Sequence, residues 1–280
     1  MCGFAGEARF DSSTADIGAV ARMGEVLQPR GPDASGAFQQ GGIALAHRRL
    51  RIIDLSDPGL GLTVVFNGCI YNYRELRREL EALDYRFFSD GDTEVVLKSF
   101  HAWGRDCVNR FHGMFAFAIF ERDSGRLTLA RDRFGIKPLY LAEDKGRLRF
   151  ASSLPALLAG GDIDTAIDPA ALHHYMSWHA VVPPPLTLLA GVLKLPPATV
   201  ATWDAEGRCE SRRFWGLKVQ ADPALAALPV DDRERMVEDS LRTAVRRRMV
   251  ADVPVGVLLS GGVDSSLIVA LLAEAGQHDL

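Results

Sequence analysis

The chain has 280 residues, 48% of them hydrophobic, so it can bury the core of one large or two modest domains. Its formal net charge of -4 does not provide the excess of positive charge that attracts nucleic acid. No stretch approaches the roughly 18 consecutive apolar residues of a membrane span, and the start lacks the basic and apolar segments of a secretory signal. We therefore expect a soluble, cytoplasmic protein that binds small molecules and neither nucleic acid nor a membrane.

The second residue is a cysteine, and removal of Met1 would leave Cys2 with a free α-amine. That amine has a reference pKa of about 8 and can accept the proton of the thiol in the same residue, so one residue would supply both nucleophile and base. Cys69, Cys107 and Cys209 are widely spaced and form no C-x-x-C pair, which disfavours disulfides and metal. We expect these three to be small buried hydrophobic residues.

The first two thirds of the chain alternate short strands and helices. Apolar periodicity predicts helices over 17–27, 73–83 and 93–103. Alternating or continuous apolar runs predict strands over 43–46, 63–66, 115–120, 127–130, 139–141 and 148–151. The turns at 123–125 and 145–146 contain glycine and favour antiparallel hairpins. The pattern indicates antiparallel sheets covered by helices.

The pattern changes at Pro223 to Val230, which has no clear strand periodicity and predicts a linker. A helix over 231–248 should follow, because it opens with acidic residues and ends in three arginines, as the helix dipole favours. We interpret Arg246 to Arg248 as a solvated helix end rather than a nucleic-acid patch. The predicted organisation is a first domain at 2–217, a linker at 218–230 and the beginning of a second domain at 231–280.

A loop rich in glycine and serine, Ser260 to Ser266, lies between a predicted buried strand at 252–259 and a predicted helix at 267–275. Adjacent glycines can turn backbone N–H groups toward an anion, and the following helix N-terminus favours negative charge. The loop lacks the lysine of a Walker A motif, while Asp264 could approach Mg²⁺ or a ribose. We interpret it as a nucleotide pyrophosphate site; the alternative is a strand-to-helix turn with capping serines.

These motifs together resemble the glutamine-dependent asparagine synthetases. The S-G-G-V-D-S-S loop is similar to the pyrophosphate-binding loop of ATP pyrophosphatases, and the Cys-Gly start is similar to that of the class II glutamine amidotransferases. The segments that match the family are Met1-Cys2-Gly3, Arg30-Gly31-Pro32-Asp33, 46–50, 66–73, 91–94, 113–118, 131–140, 194–197 and 252–259. The resemblance implies an α+β fold, a four-layer αββα sandwich of the N-terminal-nucleophile type, followed by the start of an α/β nucleotide-binding domain.

The resemblance also implies a glutaminase reaction. Cys2 would attack the side-chain amide of glutamine, release ammonia and leave a thioester that water hydrolyses to glutamate. Asn67 and the N–H of Gly68 would form the oxyanion hole, Arg49 would hold the α-carboxylate of glutamine, and Asp92 its α-ammonium group. The other glutamine-binding positions implied are Leu50, Arg51, Ile52, Ile53 and Cys69.

In the second domain the resemblance implies that ATP and Mg²⁺ activate a carboxylate such as aspartate as an acyl-adenylate, from which ammonia displaces AMP. The implied ATP-binding residues are Leu259, Ser260, Gly261, Gly262, Val263, Asp264, Ser265 and Ser266. The family continues well beyond the position of Leu280, so we expect a partial synthetase domain here. A homodimer is a family expectation.

Three features depart from the usual family pattern. Cys69 stands where glutamate is usual, the segment 54–62 is short, and 174–183 lacks the common Gly-rich stretch. Asn-Gly-Cys-Ile-Tyr and His-Ala-Val-Val-Pro resemble the subgroup that amidates N-acetylglutaminylglutamine, so the acceptor stays open. The alternatives are a class II amidotransferase acting on a sugar phosphate or phosphoribosyl pyrophosphate, and a noncatalytic glutamine-binding module. A metal pair at His173 and His174 is disfavoured, because adjacent helical side chains do not face one site.

Overall fold

The computed structural model describes residues 2–49, 56, 57, 59–144, 146–250 and 256–276, with the backbone alone at 49, 56 and 57. The chain divides into two compact units, Met1–Gly216 and Leu217–Leu280. Within the described ranges, none of the helices is long and apolar enough to cross a membrane.

The first unit contains two sheets, and all of its strands pair antiparallel with their neighbours. In chain order the strands of the described residues are β1 (Gly3–Arg9), β2 (Ala34–Gln40), β3 (Ile43–Arg49), β4 (Ser56–Asp57), β5 (Leu62–Ile70), β6 (Gly113–Glu121), β7 (Leu127–Arg131), β8 (Tyr140–Asp144), β9 (Arg147–Ala151), β10 (Leu193–Lys194), β11 (Thr199–Trp203) and β12 (Cys209–Arg213). Sheet A has the order β10-β8-β9-β1-β3-β2, and sheet B has the order β12-β11-β7-β6-β5-β4.

Helices cover the outer faces of both sheets. In chain order the helices of the described residues are α1 (Ile17–Val26), α2 (Tyr73–Glu81), α3 (Asp92–Trp103), α4 (Cys107–Arg110), α5 (Leu154–Ala159), α6 (Pro169–Ser177), α7 (Pro223–Ala226), α8 (Val230–Arg248) and α9 (Val263–Glu274). Met23 of α1 and Leu157 of α5 pack in the core outside sheet A, and Leu76 of α2 and Val96 of α3 pack outside sheet B. The four-layer αββα sandwich predicted from the sequence is confirmed.

Strand β6 shows why the sandwich forms. Its residues are apolar on both faces, because one face meets the helices and the other meets sheet A. Phe115 and Phe117 lie in the cluster beneath α2 and α3, whereas Ala116 and Ala118 lie in the cluster between the sheets together with Phe4 of β1. Small residues at 116 and 118 therefore allow the two sheets to approach each other at the middle of the molecule.

In the second unit, α8 and α9 pack through Val245, Leu271 and Leu272. Arg246 to Arg248 are exposed at the end of α8, as predicted for a solvated helix end. A strand was predicted over 252–259. Residues 252–255 lie outside the described residues, and 256–259 have no regular structure, so the prediction is wrong for 256–259. A strand needs a hydrogen-bonded partner, and 256–259 pair with no strand in the described part of this unit.

Candidate active site

Cys2 lies directly before β1, a strand in the interior of sheet A. Successive side chains of a strand point to opposite faces, and Phe4 and Ala8 of β1 lie in the core between the sheets, so Cys2 belongs to the face that meets sheet B. Cys2 is partly exposed, and its carbonyl oxygen accepts a hydrogen bond from Arg30 Nε at 3.3 Å. The predicted nucleophile is therefore accessible and its backbone is held in place.

The predicted oxyanion residues lie at the end of β5. Asn67 is fully buried and shares the inner face of sheet B with Val65. Its Oδ1 and Nδ2 atoms have no hydrogen-bond partner among the described residues. Buried polar groups without a partner are rare in proteins and are expensive unless a ligand or water satisfies them. An unsatisfied amide at this position is what an oxyanion donor requires before substrate binds.

Gly68 allows β5 and β6 to approach closely at the same position. A Cβ atom on Gly68 would lie 2.2 Å from Met114 O and 2.8 Å from Phe115 Cα, both on β6. Gly113 meets the same restriction from the other strand, since its Cβ would lie 2.2 Å from Cys69 O. Glycine is thus required at both positions by the packing of backbone against backbone.

A hydrogen bond between the sheets brings the two predicted sites to one end of the sandwich. His47 Nε2 donates to Phe66 O at 2.9 Å, and His47 lies opposite Phe4 in the pairing of β1 with β3. Phe66 directly precedes Asn67, and Phe4 follows Cys2 by two residues. The structure therefore places Cys2 and the pair Asn67 and Gly68 at the same end of the sandwich.

Asp92 joins the same group from the helical layer. It is the first residue of α3, and its Oδ2 accepts a hydrogen bond from Ile70 N, at the end of β5, at 2.9 Å. Arg49 is the last residue of β3 and follows Arg48, which lies opposite Gly3. The predicted contacts of the Arg49 side chain, and those of residues 50–53, lie outside the described residues.

A family model described as a glutamine amidotransferase domain matches residues 1–215. The chain belongs to the glutamine amidotransferase family. A second model, described as asparagine synthase, matches residues 236–280. The predicted relationship to the glutamine-dependent asparagine synthetases is confirmed by this pair of matches.

Two proteins similar to this amidotransferase family member are described as glutamine-hydrolyzing asparagine synthetases. Asparagine synthetase (glutamine-hydrolyzing) 1 of Bacillus subtilis strain 168 is 38% identical over 98% of this chain and 44% of its own length. Asparagine synthetase (glutamine-hydrolyzing) 3 of the same organism is 32% identical over 98% of this chain and 45% of its own length. The chain therefore spans less than half the length of these curated relatives.

Among solved structures, glutamine phosphoribosylpyrophosphate amidotransferase from B. subtilis, complexed with ADP and GMP, resembles this family member with a TM-score of 0.56. The sequence identity is 16%, over 98% of this chain and 64% of that chain. At this identity the likeness concerns the fold, and it agrees with the αββα sandwich described above.

The segment Arg131 to Lys137 contacts the strand opposite Gly68, although the sequence suggested no role for its individual residues. Buried Asp132 accepts hydrogen bonds from Lys137 N at 3.0 Å and from Phe115 N, opposite Gly68, at 3.1 Å. Arg131 donates to the carbonyl oxygens of Lys137 and Gly135 at 2.8 and 2.7 Å. This network holds the segment against β6, opposite Gly68 of β5.

Lys137 places a buried positive charge near the predicted nucleophile. Burial lowers the pKa of Lys137, and the charge of Arg30 lowers it further, whereas Cys2 and Cys69 oppose the shift. Cys2 and Cys69 therefore act electrostatically on Lys137 when their thiols are ionised. Sequence reasoning missed Lys137, because only the fold brings position 137 to positions 2 and 69.

The cysteines other than Cys2 differ in their environments. Cys107 is buried as predicted, and burial raises the pKa of its thiol. The prediction was wrong for Cys209, which is exposed, and Cys69 is partly exposed. Cys209 begins β12, an edge strand whose residues are largely exposed, and Cys69 directly follows Gly68 near the end of β5.

The predicted phosphate loop lies in the second unit and is exposed to solvent. Gly261 has φ +81°, a left-handed conformation that favours glycine, and α9 begins at Val263, four residues before the predicted start. Ser265 Oγ and Ser266 Oγ donate to Gly262 O at 3.0 and 2.9 Å. These two hydroxyls stabilise the helix start in this structure, so backbone N–H groups are the donors best placed for an anion.

Two other features lie outside the candidate site. His173 and His174 have ring centroids 6.0 Å apart, and the described residues contain no group of three or more His, Cys, Asp or Glu side chains that could hold a metal ion.

A cavity of about 670 Å³ opens near Leu62 and Glu121, at the start of β5, which is the opposite end of that strand from Asn67. This cavity is therefore separate from the candidate active site.

Proposed function

We propose that this chain is the glutaminase half, together with the opening of the synthetase half, of a glutamine-hydrolysing, ATP-dependent amidotransferase of the asparagine synthetase type. The observation that best supports the proposal is the buried amide of Asn67. This amide has no hydrogen-bond partner among the described residues, and it lies at the same end of the sandwich as Cys2, which directly precedes β1. We also propose a glutaminase domain at 2–217, a linker at 218–230 and a synthetase domain beginning at 231.

In the proposed reaction the Cys2 thiol attacks the side-chain carbonyl carbon of glutamine. After removal of Met1, the α-amine of Cys2 accepts the thiol proton and later delivers a proton to the departing nitrogen. Asn67 Nδ2 and the N–H of Gly68 stabilise the negative charge that develops on the carbonyl oxygen. Ammonia leaves and a γ-glutamyl thioester forms. Water then hydrolyses the thioester, so that glutamine and water become glutamate and ammonia.

Two opposite charges would select a free amino acid as the substrate. Asp92 binds the α-ammonium group, and its carboxylate is oriented by the hydrogen bond from Ile70 N. Arg49 binds the α-carboxylate, since a guanidinium group can hold a carboxylate through two parallel hydrogen bonds. Residues 50–53 and Cys69 complete the pocket in this proposal.

In the second unit we propose that residues 259–266 bind ATP. The loop fits a polyphosphate: Gly261 and Gly262 leave the backbone uncovered, and a helix of 12 residues begins directly after them. ATP with Mg²⁺ would supply the activation of a carboxylate as an acyl-adenylate, and Asp264, in the first turn of α9, would be a carboxylate ligand for the metal. The acceptor is aspartate or, as Cys69 and 174–183 suggest, N-acetylglutaminylglutamine. A cytoplasmic homodimer completes the proposal.

The test is glutamate release from glutamine by the chain with Met1 removed, as established by intact mass. Cys2→Ala and a variant that retains Met1 should both lose release, whereas Cys209→Ala, which alters an exposed cysteine on an edge strand, should keep it. Turnover in Cys2→Ala would contradict the proposed nucleophile. Glutamine binding without turnover in the processed, unaltered chain would instead favour the noncatalytic glutamine-binding module.

A further inference from the structure

A buried carboxylate holds the segment that precedes Asp92. Glu94, 2% exposed, accepts hydrogen bonds from Phe88 N at 2.9 Å, from Ser89 N at 2.8 Å and from Ser89 Oγ at 2.7 Å. Glu94 is the third residue of α3, the position from which a glutamate side chain commonly reaches back to the residues before a helix. It thereby fixes the chain just before the helix start.

A buried lysine completes this arrangement. Lys98, also 2% exposed, lies one turn after Glu94, pairs with its Oε1 at 2.5 Å and donates to Arg86 O. Its Nζ lies 4.6 Å from the ring centroid of Phe87 and 4.8 Å from that of Phe88. Burial acts to raise the pKa of Glu94, but the hydrogen bonds from Lys98, Ser89 and Phe88 outweigh it and lower that pKa. Glu94 is therefore ionised at neutral pH.

Helix α2 holds the same segment from its other side. Arg77 donates to Ser89 O at 2.8 Å and to Asp90 Oδ1 at 3.0 Å, and its guanidinium carbon lies 4.6 Å from the Phe87 ring centroid. Residues 86–90 are thus fixed between α2 and α3. Asp92 begins α3 two residues later.

The body of α3 does not require this arrangement. Val95, Val96, Leu97 and Phe100 pack into the core under sheet B and hold the helix there. The first turn is less constrained, because its N-cap is Gly91, which has no side chain to accept a hydrogen bond from the helix start. A buried ion pair often contributes little net stability, because desolvation of the charges offsets their attraction.

We propose that Glu94 is a positioning residue for glutamine: it fixes the first turn of α3 so that the Asp92 carboxylate meets the α-ammonium group of the substrate. The inference rests on the proposed glutaminase function. It adds that Glu94, which does not touch the substrate, determines how well the site distinguishes an α-amino acid from a simple dicarboxylate. The effect should appear in binding of the ammonium group and not in the chemical step.

The test compares Glu94→Gln and Ser89→Ala with a matched control, Glu79→Gln, which alters an exposed glutamate on α2. Glu94→Gln should raise the KM for glutamine and the inhibition constant of L-glutamate about tenfold, while kcat changes less than about twofold. The inhibition constant of glutarate, which lacks the ammonium group, should not change. Ser89→Ala should act in the same direction by a smaller factor.

An Asp92→Asn background adds a second criterion. In Asp92→Asn, the further change Glu94→Gln should raise the KM for glutamine only a little, because Glu94 acts through Asp92. Equal weakening of L-glutamate and glutarate, or an unchanged KM in both Glu94→Gln and Ser89→Ala, would overturn the inference. If Glu94→Gln does not fold, the KM for glutamine and the inhibition constants of L-glutamate and glutarate in Ser89→Ala test the inference in its place. Absence of turnover in the unaltered chain would instead contradict the proposed function itself.

Discussion

Ile70 N donates a hydrogen bond to Asp92 Oδ2 at 2.9 Å, which ties the last residue of β5 to the first residue of α3. These two elements carry different proposed tasks, stabilisation of the oxyanion by Asn67 and Gly68 and binding of the substrate ammonium group by Asp92. The hydrogen bond orients the Asp92 carboxylate from the strand that carries the proposed oxyanion residues. Displacement of the first turn of α3 would therefore misplace the carboxylate that binds the ammonium group, while Asn67 and Gly68 are held by the pairing of β5 with β6.

Replacement of Asn67 by alanine should separate activity from stability. We expect kcat for glutamine hydrolysis to fall by about 10²- to 10³-fold, because one oxyanion donor is lost. The free energy of unfolding should not fall by more than about 1 kcal/mol, because the buried amide has no partner among the described residues. Urea unfolding and steady-state kinetics on the same protein measure both effects.

The matched control is Asn72→Ala. The amide of Asn72 donates to Arg110 O at 3.0 Å and accepts from His112 N at 2.9 Å, so its removal leaves partners unsatisfied. This variant should lose about 1–3 kcal/mol of stability. A larger loss of stability in Asn67→Ala than in Asn72→Ala would show that Asn67 is a structural residue.

Gly68→Ala should destabilise the fold. The added methyl group would lie 2.2 Å from Met114 O, a backbone atom of the neighbouring strand that cannot rotate away. We expect a loss of at least about 1–3 kcal/mol in the free energy of unfolding, together with loss of glutaminase activity. Gly36→Ala on β2 is the control, since nothing lies within 4 Å of its Cβ position. Similar unfolding curves for both variants would contradict the close approach of β5 and β6.

Glu7 should contribute to stability in a pH-dependent way. This fully buried carboxylate accepts hydrogen bonds from Arg149 Nε at 2.6 Å, Arg9 Nε at 2.8 Å and Asp16 N at 3.0 Å. Burial acts to raise its pKa, but these donors outweigh it and the pKa is lowered. A lowered carboxyl pKa contributes stability that is complete above the ordinary value of 4.5 and is lost as pH falls through the folded value.

Glu7→Gln should therefore cost about 3–5 kcal/mol at pH 7 and make stability less sensitive to pH below 4.5. Urea unfolding across a pH series measures both quantities. The exposed Glu79, replaced in the same way, should change stability by less than about 0.5 kcal/mol. If Glu7→Gln loses stability below pH 4.5 as steeply as the unaltered chain, protonation of Glu7 is not the cause of that loss.

Cys107 and Cys209 should differ in their reaction with iodoacetamide. Cys209 is exposed and should be modified in the native protein, whereas Cys107 is buried and has a raised thiol pKa, so it should react only after unfolding. Mass spectrometry of digests from native and denatured samples measures this. Rapid modification of native Cys107 would refute its placement in the core.

Gly261→Ala should weaken ATP binding without altering packing. Gly261 has φ +81°, which costs about 1–2 kcal/mol for an alanine, while nothing lies within 4 Å of its Cβ position. We expect the Kd for ATP to rise about tenfold. Gly256→Ala is matched to it, because its Cβ position is also open but its φ is not left-handed. Equal ATP affinity in both variants would count against the proposed nucleotide loop.

Short-range patterns were sufficient for some elements and not for others. Helix α3 was predicted at 93–103 and is observed at Asp92–Trp103, because its apolar periodicity matches the face that it buries. The strands β1 and β2 were not predicted. Strand β1 contains four small residues, two glycines and two alanines, and β2 is largely exposed, so neither has a strong apolar signal. Residues 256–259, the described part of the strand predicted at 252–259, do not form a strand, since an apolar run alone does not supply a partner.

Apolar periods in the sequence indicated antiparallel sheets covered by helices, and the resemblance of its motifs to a known family implied the αββα class and marked Cys2, Asn67 and Asp92 as candidates. Motifs and apolar periods are local properties of a chain. Three relationships follow from the tertiary structure: Asn67 is buried with no partner among the described residues, Asp92 accepts a hydrogen bond from Ile70, and Cys2 acts electrostatically on Lys137. These relationships join positions far apart in the chain. They arise because two sheets must bury their facing sides against each other, and no local pattern encodes which residues then meet.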